Sequence, residues 1–142
     1  MKSKPAPICL FVYNRLDETI RTAEALQQNY LARESVLFIF SDGPKNESAK
    51  TQVEEVRGYL REIRGFKSVE IQESSENNGL ANSIIGGVTK VLKEHGTAIV
   101  LEDDLITSPN FLDFMNQALT FYTNNDRVFN ISGYTMNLKA LN

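Results

Sequence analysis

Apolar residues fall along the chain in two alternating rhythms. Short apolar, β-branched or aromatic runs occur at Ile8 to Tyr13, Val36 to Phe40, Val69 to Ile71, Ala98 to Leu101 and Val128 to Ile131. Their starts lie roughly thirty residues apart, the length of a strand with its crossover helix. Between them the apolar positions recur at helical spacing. Leu16, Ile20, Ala23 and Leu26 form one stripe, Val53, Val56, Leu60 and Ile63 a second, and Leu80, Ile84, Val88, Val91 and Leu92 a third. A fourth helix is predicted to start with Ser108 as cap and Pro109 at its first position, carrying Phe111, Met115, Leu119 and Tyr122. Five strands alternating with four helices, most strands continuously apolar, predict a doubly wound α/β fold. Its sheet is mostly parallel, with helices on both faces.

Length and composition narrow this reading. The 142 residues are one domain's worth. Hydrophobic residues at 42% and charged residues at 23% exclude disorder as the main state. Fifteen Lys and Arg against eighteen Asp and Glu give a formal charge of −3, so no basic field points to nucleic acid. The single Cys9 sits in an apolar run, which excludes an internal disulfide and a cysteine zinc site. The run Ile8 to Tyr13 is too short for a signal peptide or membrane span, so a cytoplasmic location is expected and the sequons at Asn46 and Asn130 read as chance matches. Gly86 and Gly87 interrupt the third helix, each costing about 1 kcal/mol against Ala unless close packing offsets it.

In an open parallel sheet, ligands bind beyond the carboxyl ends of the strands. Three runs end there in polar groups: Tyr13-Asn14-Arg15, Ser41-Asp42-Gly43-Pro44 and Glu102-Asp103-Asp104. Three consecutive carboxylates repel one another unless solvent, a helix end or a cation compensates. A solvated acidic turn is the bland reading; the place at the end of a central strand favours Mg²⁺ or Mn²⁺, which take one or two carboxylates and complete their shell with water and phosphate. Asp42-Gly43-Pro44 is first a turn, although its carboxylate suits the ring N–H of a pyrimidine. Arg15 reads either as a surface partner of Asp17 or Glu18 or as a diphosphate contact, for which a permanently charged fork is well suited. Glu76-Asn77-Asn78-Gly79 precedes the third helix and offers amides near its amino end. His95, the only histidine, stands in the last turn of the third helix and reads as structural.

Together, Tyr-Asn-Arg, Ser-Asp-Gly, Asn-Asn-Gly-Leu and Leu-Glu-Asp-Asp-Leu resemble the corresponding segments of GT-A glycosyltransferases over nearly the whole chain. The resemblance is greatest to N-acetylglucosaminyltransferase I-like enzymes, whose acidic motif has the same order and is followed by a similar Ser/Ala-Pro-x-Phe helix start. It implies a GT-A, Rossmann-like nucleotide-sugar half. Val12, Tyr13, Asn14 and Arg15 would line the nucleotide end, and Asp42 with Gly43 would meet the uracil of a UDP-sugar. Asn78 and Gly79 would border the same site. Asp104 would hold Mn²⁺ or Mg²⁺, while Glu102 and Asp103 would reach the donor sugar and ribose. The acceptor would be a saccharide or a lipid-linked saccharide.

In such enzymes the catalytic base, a further metal contact and most of the acceptor site follow the equivalent of Gly133. The base is therefore expected beyond Asn142, where this sequence ends, and the chain is expected to be the donor-binding part of a longer transferase. A homodimer through exposed apolar surface is also expected. Haloacid-type phosphatases and receiver domains would want acids directly after the first strand, and a nucleotidyltransferase a glycine-rich loop there; Tyr13-Asn14-Arg15 supplies neither. A non-catalytic nucleotide-binding or assembly module is the alternative.

Overall fold

The computed structural model describes residues 4–134. Asn142, beyond which the catalytic base is expected, lies outside the described residues. The element order is β1 (Ile8–Val12), α1 (Leu16–Gln27), a short 3-10 turn, β2 (Val36–Ser41), α2 (Glu47–Leu60), β3 (Ser68–Glu73), α3 (Leu80–His95), β4 (Ile99–Glu102) and α4 (Phe111–Phe121). The strands form one sheet in the order β3-β2-β1-β4, and every pairing is parallel. The α/β architecture with helices on both faces is therefore as expected.

The two faces are unequal. One side of the sheet carries the larger core, in which Ile8, Leu10, Leu37, Ile39 and Leu101 meet Leu26, Val56, Leu60 and Leu112 from α1, α2 and α4. On the other side Cys9, Phe11 and Phe38 are covered by α3 through Val91. That helix lies close because Gly87 has no side chain: a Cβ there would stand 2.9 Å from Phe11 and 3.0 Å from Phe40. The two rings are stacked, with centroids 4.9 Å apart. His95 tilts over Phe38 at the carboxyl end of α3, far along the helix from the strands' carboxyl rim.

Four details depart from the sequence expectation. The run Val128 to Ile131 forms no strand, so the described residues hold four strands rather than five. This segment instead runs back over α4, where Gly133 lies so near Phe111 and Met115 that a Cβ would clash. A four-residue segment with three β-prone side chains gains nothing from an extended shape unless an edge pairs with it. α4 begins at Phe111, and Ser108 bonds to Asn110 rather than capping. A distant side chain does the capping, with Asn29 Oδ1 accepting the Leu112 amide at 2.9 Å. β3 alternates between faces as an edge strand does, because only Val69 and Ile71 reach the main core. Finally, Leu80 and Leu92 of the third stripe stay exposed, since one helix cannot cover its side of the sheet alone.

Candidate functional site

Register fixes the site's layout. Val12 pairs with Ser41, and Phe11 with Glu102. Asp42 and Tyr13 therefore leave β2 and β1 at the same level, and Asp103 follows β4 opposite Val12, one residue short of that level. Strands about 4.8 Å apart put the backbones at Asp42 and Asp103 about 10 Å from each other, with Tyr13 between them. The Asp42 amide donates to the Val12 carbonyl at 3.2 Å, tying the middle of this rim together.

On the β4 side, the three acids diverge. Side chains alternate along a strand, so Glu102 shares the α3 face with Val100 while Asp103 turns the other way. Asp103 is buried, and its carbonyl accepts from Thr22 Oγ1 of α1 at 2.9 Å. The Arg15 guanidinium reaches both remaining acids through a single nitrogen, pairing with Asp103 and lying 3.2 Å from Asp104. Its partners are thus not Asp17 or Glu18; Glu18 pairs with Arg21 instead. The hydrogen bond to Asp103 is the main influence holding the Arg15 pKa above its ordinary value. Arg15 supplies the compensation that the acidic run requires.

Among the described residues no group of three or more His, Cys, Asp or Glu side chains gathers as a metal cage. Two carboxylates do converge on one cationic nitrogen, and Asp104 remains open to solvent. An oxygen pair gathered around one positive centre fits Mg²⁺ or Mn²⁺, which need only one or two protein carboxylates.

On the β2 side, Asp42 is buried and its carboxylate is fully engaged. Oδ1 accepts from the amides of Gly43 and Asn78 at 2.9 Å each, and Oδ2 from the Gly79 amide at 3.0 Å and Asn77 Nδ2 at 3.1 Å. Asn78 Nδ2 adds a longer fifth contact to Oδ1 at 3.4 Å, so the approximately four lone-pair sites of the carboxylate are all taken. Asp42 therefore latches the loop before α3 to the end of β2. Gly43 is required by the same latch, because a Cβ there would lie 2.5 Å from the Glu76 backbone. Gly79, with φ of +76°, turns the chain into α3 in a conformation that side chains resist.

The other predicted rim residues are placed as follows. Val12 lies in the core, so its side chain faces away from the rim. Tyr13 is half-buried, with its hydroxyl accepting from the Lys45 amide at 3.0 Å, and Asn14 donates to Gln52 at 3.2 Å. Arg57, which sequence reasoning passed over, is buried behind β2 and donates to Ser41 Oγ at 3.1 Å and to the carbonyls of Asp42 and Ser74 at 3.2 and 2.7 Å. Its signal was available: a charge inside the apolar stripe of Val53, Val56 and Leu60 must find partners when buried. Thr22 gave no comparable signal.

Two depressions adjoin the rim. A cleft of about 300 Å³ lies between β2 and α3, lined by Phe40, Asp42, Asn78, Ser83 and Lys90, among others. A trough of about 880 Å³ runs along β4 and α4, past Val100, Asp104, Leu105, Phe111 and Phe129.

This arrangement is an α/β fold with an all-parallel sheet whose carboxyl rim carries an arginine and carboxylates, and it matches the fold of solved glycosyltransferases. Particular solved structures share it. S. aureus TarS matches with a TM-score of 0.59 and 11% identity over 84% of this chain, in both its longer form and its residues 1–349. The mannosyltransferase PcManGT from Pyrobaculum calidifontis, solved in complex with GDP-Man and Mn²⁺, matches with a TM-score of 0.56 and 10% identity over 87%. The chain spans 20% of the longer TarS structure, 33% of the shorter and 34% of PcManGT. No protein-family model matches the sequence. No curated protein matches it either. Among the described residues, no helix is long and apolar enough to cross a membrane.

Proposed function

We propose that this chain is the nucleotide-sugar-binding domain of a metal-dependent, inverting glycosyltransferase, N-acetylglucosaminyltransferase I-like in its acidic motif. The observation that carries the reading is the meeting of Arg15, Asp103 and Asp104 at the ends of β1 and β4, on the same rim as Asp42 at the end of β2. The donor is a nucleoside diphosphate sugar, with UDP-sugar as the first candidate, and the acceptor is a saccharide or lipid-linked saccharide in the cytoplasm. Asp104, beside Asp103, would hold Mn²⁺ or Mg²⁺. When bound, that ion stabilises the negative charge that grows on a diphosphate leaving group. Arg15 would bind the diphosphate oxygens, and Tyr13 and Asn14 would flank the nucleoside. Glu102 is assigned to the donor sugar. Asp42 acts through its latch, presenting Gly43, Asn78 and Gly79 around the base.

An inverting transfer also needs a carboxylate that takes the acceptor hydroxyl proton. We assign no such group within these 142 residues and expect it, with the acceptor site, from chain beyond Asn142. Calorimetric titration with UDP and Mn²⁺, followed by donor-hydrolysis and transfer assays, tests the reading. Weak binding with little transfer is expected. Absence of UDP binding would overturn the site, and robust transfer by the chain alone would overturn the placing of the base beyond Asn142.

The exposed residues Val100, Leu105, Ile106, Phe114, Phe121 and Phe129 around β4 and α4 favour a second reading, a nucleotide-binding assembly module that dimerises through this surface. Gel filtration separates the two: a monomer over a range of concentrations speaks against dimerisation.

A further inference from the structure

We propose that Arg15 couples the divalent cation to the diphosphate. Without ligands its guanidinium holds Asp104, the carboxylate that the cation uses, together with its neighbour Asp103, and it releases them when phosphate oxygens offer it another partner. The inference rests on the donor site proposed above and concerns how that site fills.

The geometry supplies both halves of the exchange. Asp103 is a fixed acceptor: it is buried, and Thr22 holds its backbone. Asp104 and the Arg15 side chain are about half exposed, at 44% and 50%, so the charged head can leave into solvent. One guanidinium nitrogen bridges both carboxylates, and a cation entering between them meets that positive charge. A divalent ion arriving alone must therefore displace Arg15 and leave it beside the ion, without a partner and repelled. If a diphosphate arrives as well, the same guanidinium turns to its oxygens, for which a planar fork is well matched. The pair is stabilised together in a way that neither ligand achieves alone, which is a coupling free energy between two sites and is reciprocal.

The test is Mn²⁺ affinity of the full chain, read from the electron paramagnetic resonance signal of free Mn²⁺, with and without saturating UDP or GDP. For the unaltered protein, the diphosphate is expected to tighten Mn²⁺ by about tenfold or more, and Mn²⁺ to tighten the diphosphate equally. In Arg15→Gln, Mn²⁺ alone is expected to bind more tightly than to the unaltered protein, while the diphosphate binds more weakly and the coupling factor shrinks. Arg15→Lys retains the charge without the fork and is expected to keep Mn²⁺ weak. Circular dichroism checks that both variants fold. As a second readout, the Nε–H resonance of Arg15 in ¹⁵N-arginine-labelled protein is expected to move when UDP is added without metal. Diphosphate binding with equal Mn²⁺ affinities in the unaltered and Arg15→Gln proteins overturns the coupling and leaves the donor site standing. Absence of diphosphate binding under every condition overturns both.

Discussion

The paired glycines of α3 give a prediction with its own internal control. Replacing either Gly86 or Gly87 by Ala removes the same backbone freedom and adds the same helix preference, which is about 1 kcal/mol of stabilisation. What differs is the space. A Cβ at Gly86 would meet nothing within 4 Å, whereas one at Gly87 would stand 2.9 to 3.0 Å from the rings of Phe11 and Phe40. Those rings are stacked, and Phe11 is almost wholly buried, so neither can swing aside cheaply. Inserting a methyl into such packing costs about 1–3 kcal/mol. Gly86→Ala should therefore be more stable than the unaltered chain by about 1 kcal/mol, and Gly87→Ala should lie about 1–3 kcal/mol below Gly86→Ala. With urea slopes of about 1–3 kcal/mol per molar, the two midpoints should differ by roughly 1 M at unchanged slope. Urea unfolding followed by far-UV circular dichroism reads this directly. Equal midpoints, or a more stable Gly87→Ala, would refute the account of why α3 approaches the sheet.

Two further outcomes follow from buried groups. Asp42→Asn turns one of the latch's acceptor oxygens into a donor facing backbone or side-chain N–H groups, and should cost about 1–3 kcal/mol of stability even without ligand; a variant as stable as the parent in urea would show that the latch contributes nothing. Burial raises the Cys9 pKa to about 12. An unfolded thiol ionises near 8.5, so between that pH and about 12 the unfolded chain gives up a proton that the folded chain keeps, and stability falls by up to about 1.4 kcal/mol per pH unit. Comparing the alkaline limbs of the pH–stability curves of the parent and Cys9→Ala isolates this contribution; identical slopes would contradict it.

Much of the rim was legible in the chain itself. Apolar runs at strand spacing and stripes at helical spacing are local patterns, and they located the four strands, the four helices and the strand ends where polar residues gather. The same patterns named Arg15, Asp42, Asp103 and Asp104. They also named Val128 to Ile131, wrongly as a strand, because β-prone composition does not say whether an edge is there to receive it. Nor did local pattern show that Val12 turns inward at the last residue of β1.

What each rim residue touches was decided only by the folded chain. Arg15 meets acids nearly ninety positions away, because β1 and β4 lie side by side in the sheet although a long stretch of chain separates them. Asp42 is saturated by a loop more than thirty residues on, and α4 is capped by Asn29 from the end of α1. Periodicity reports which side of an element is apolar, a property of neighbours in sequence. Partnership depends on strand order and register, which arise when distant elements bury their faces together, and no short stretch of sequence contains that information.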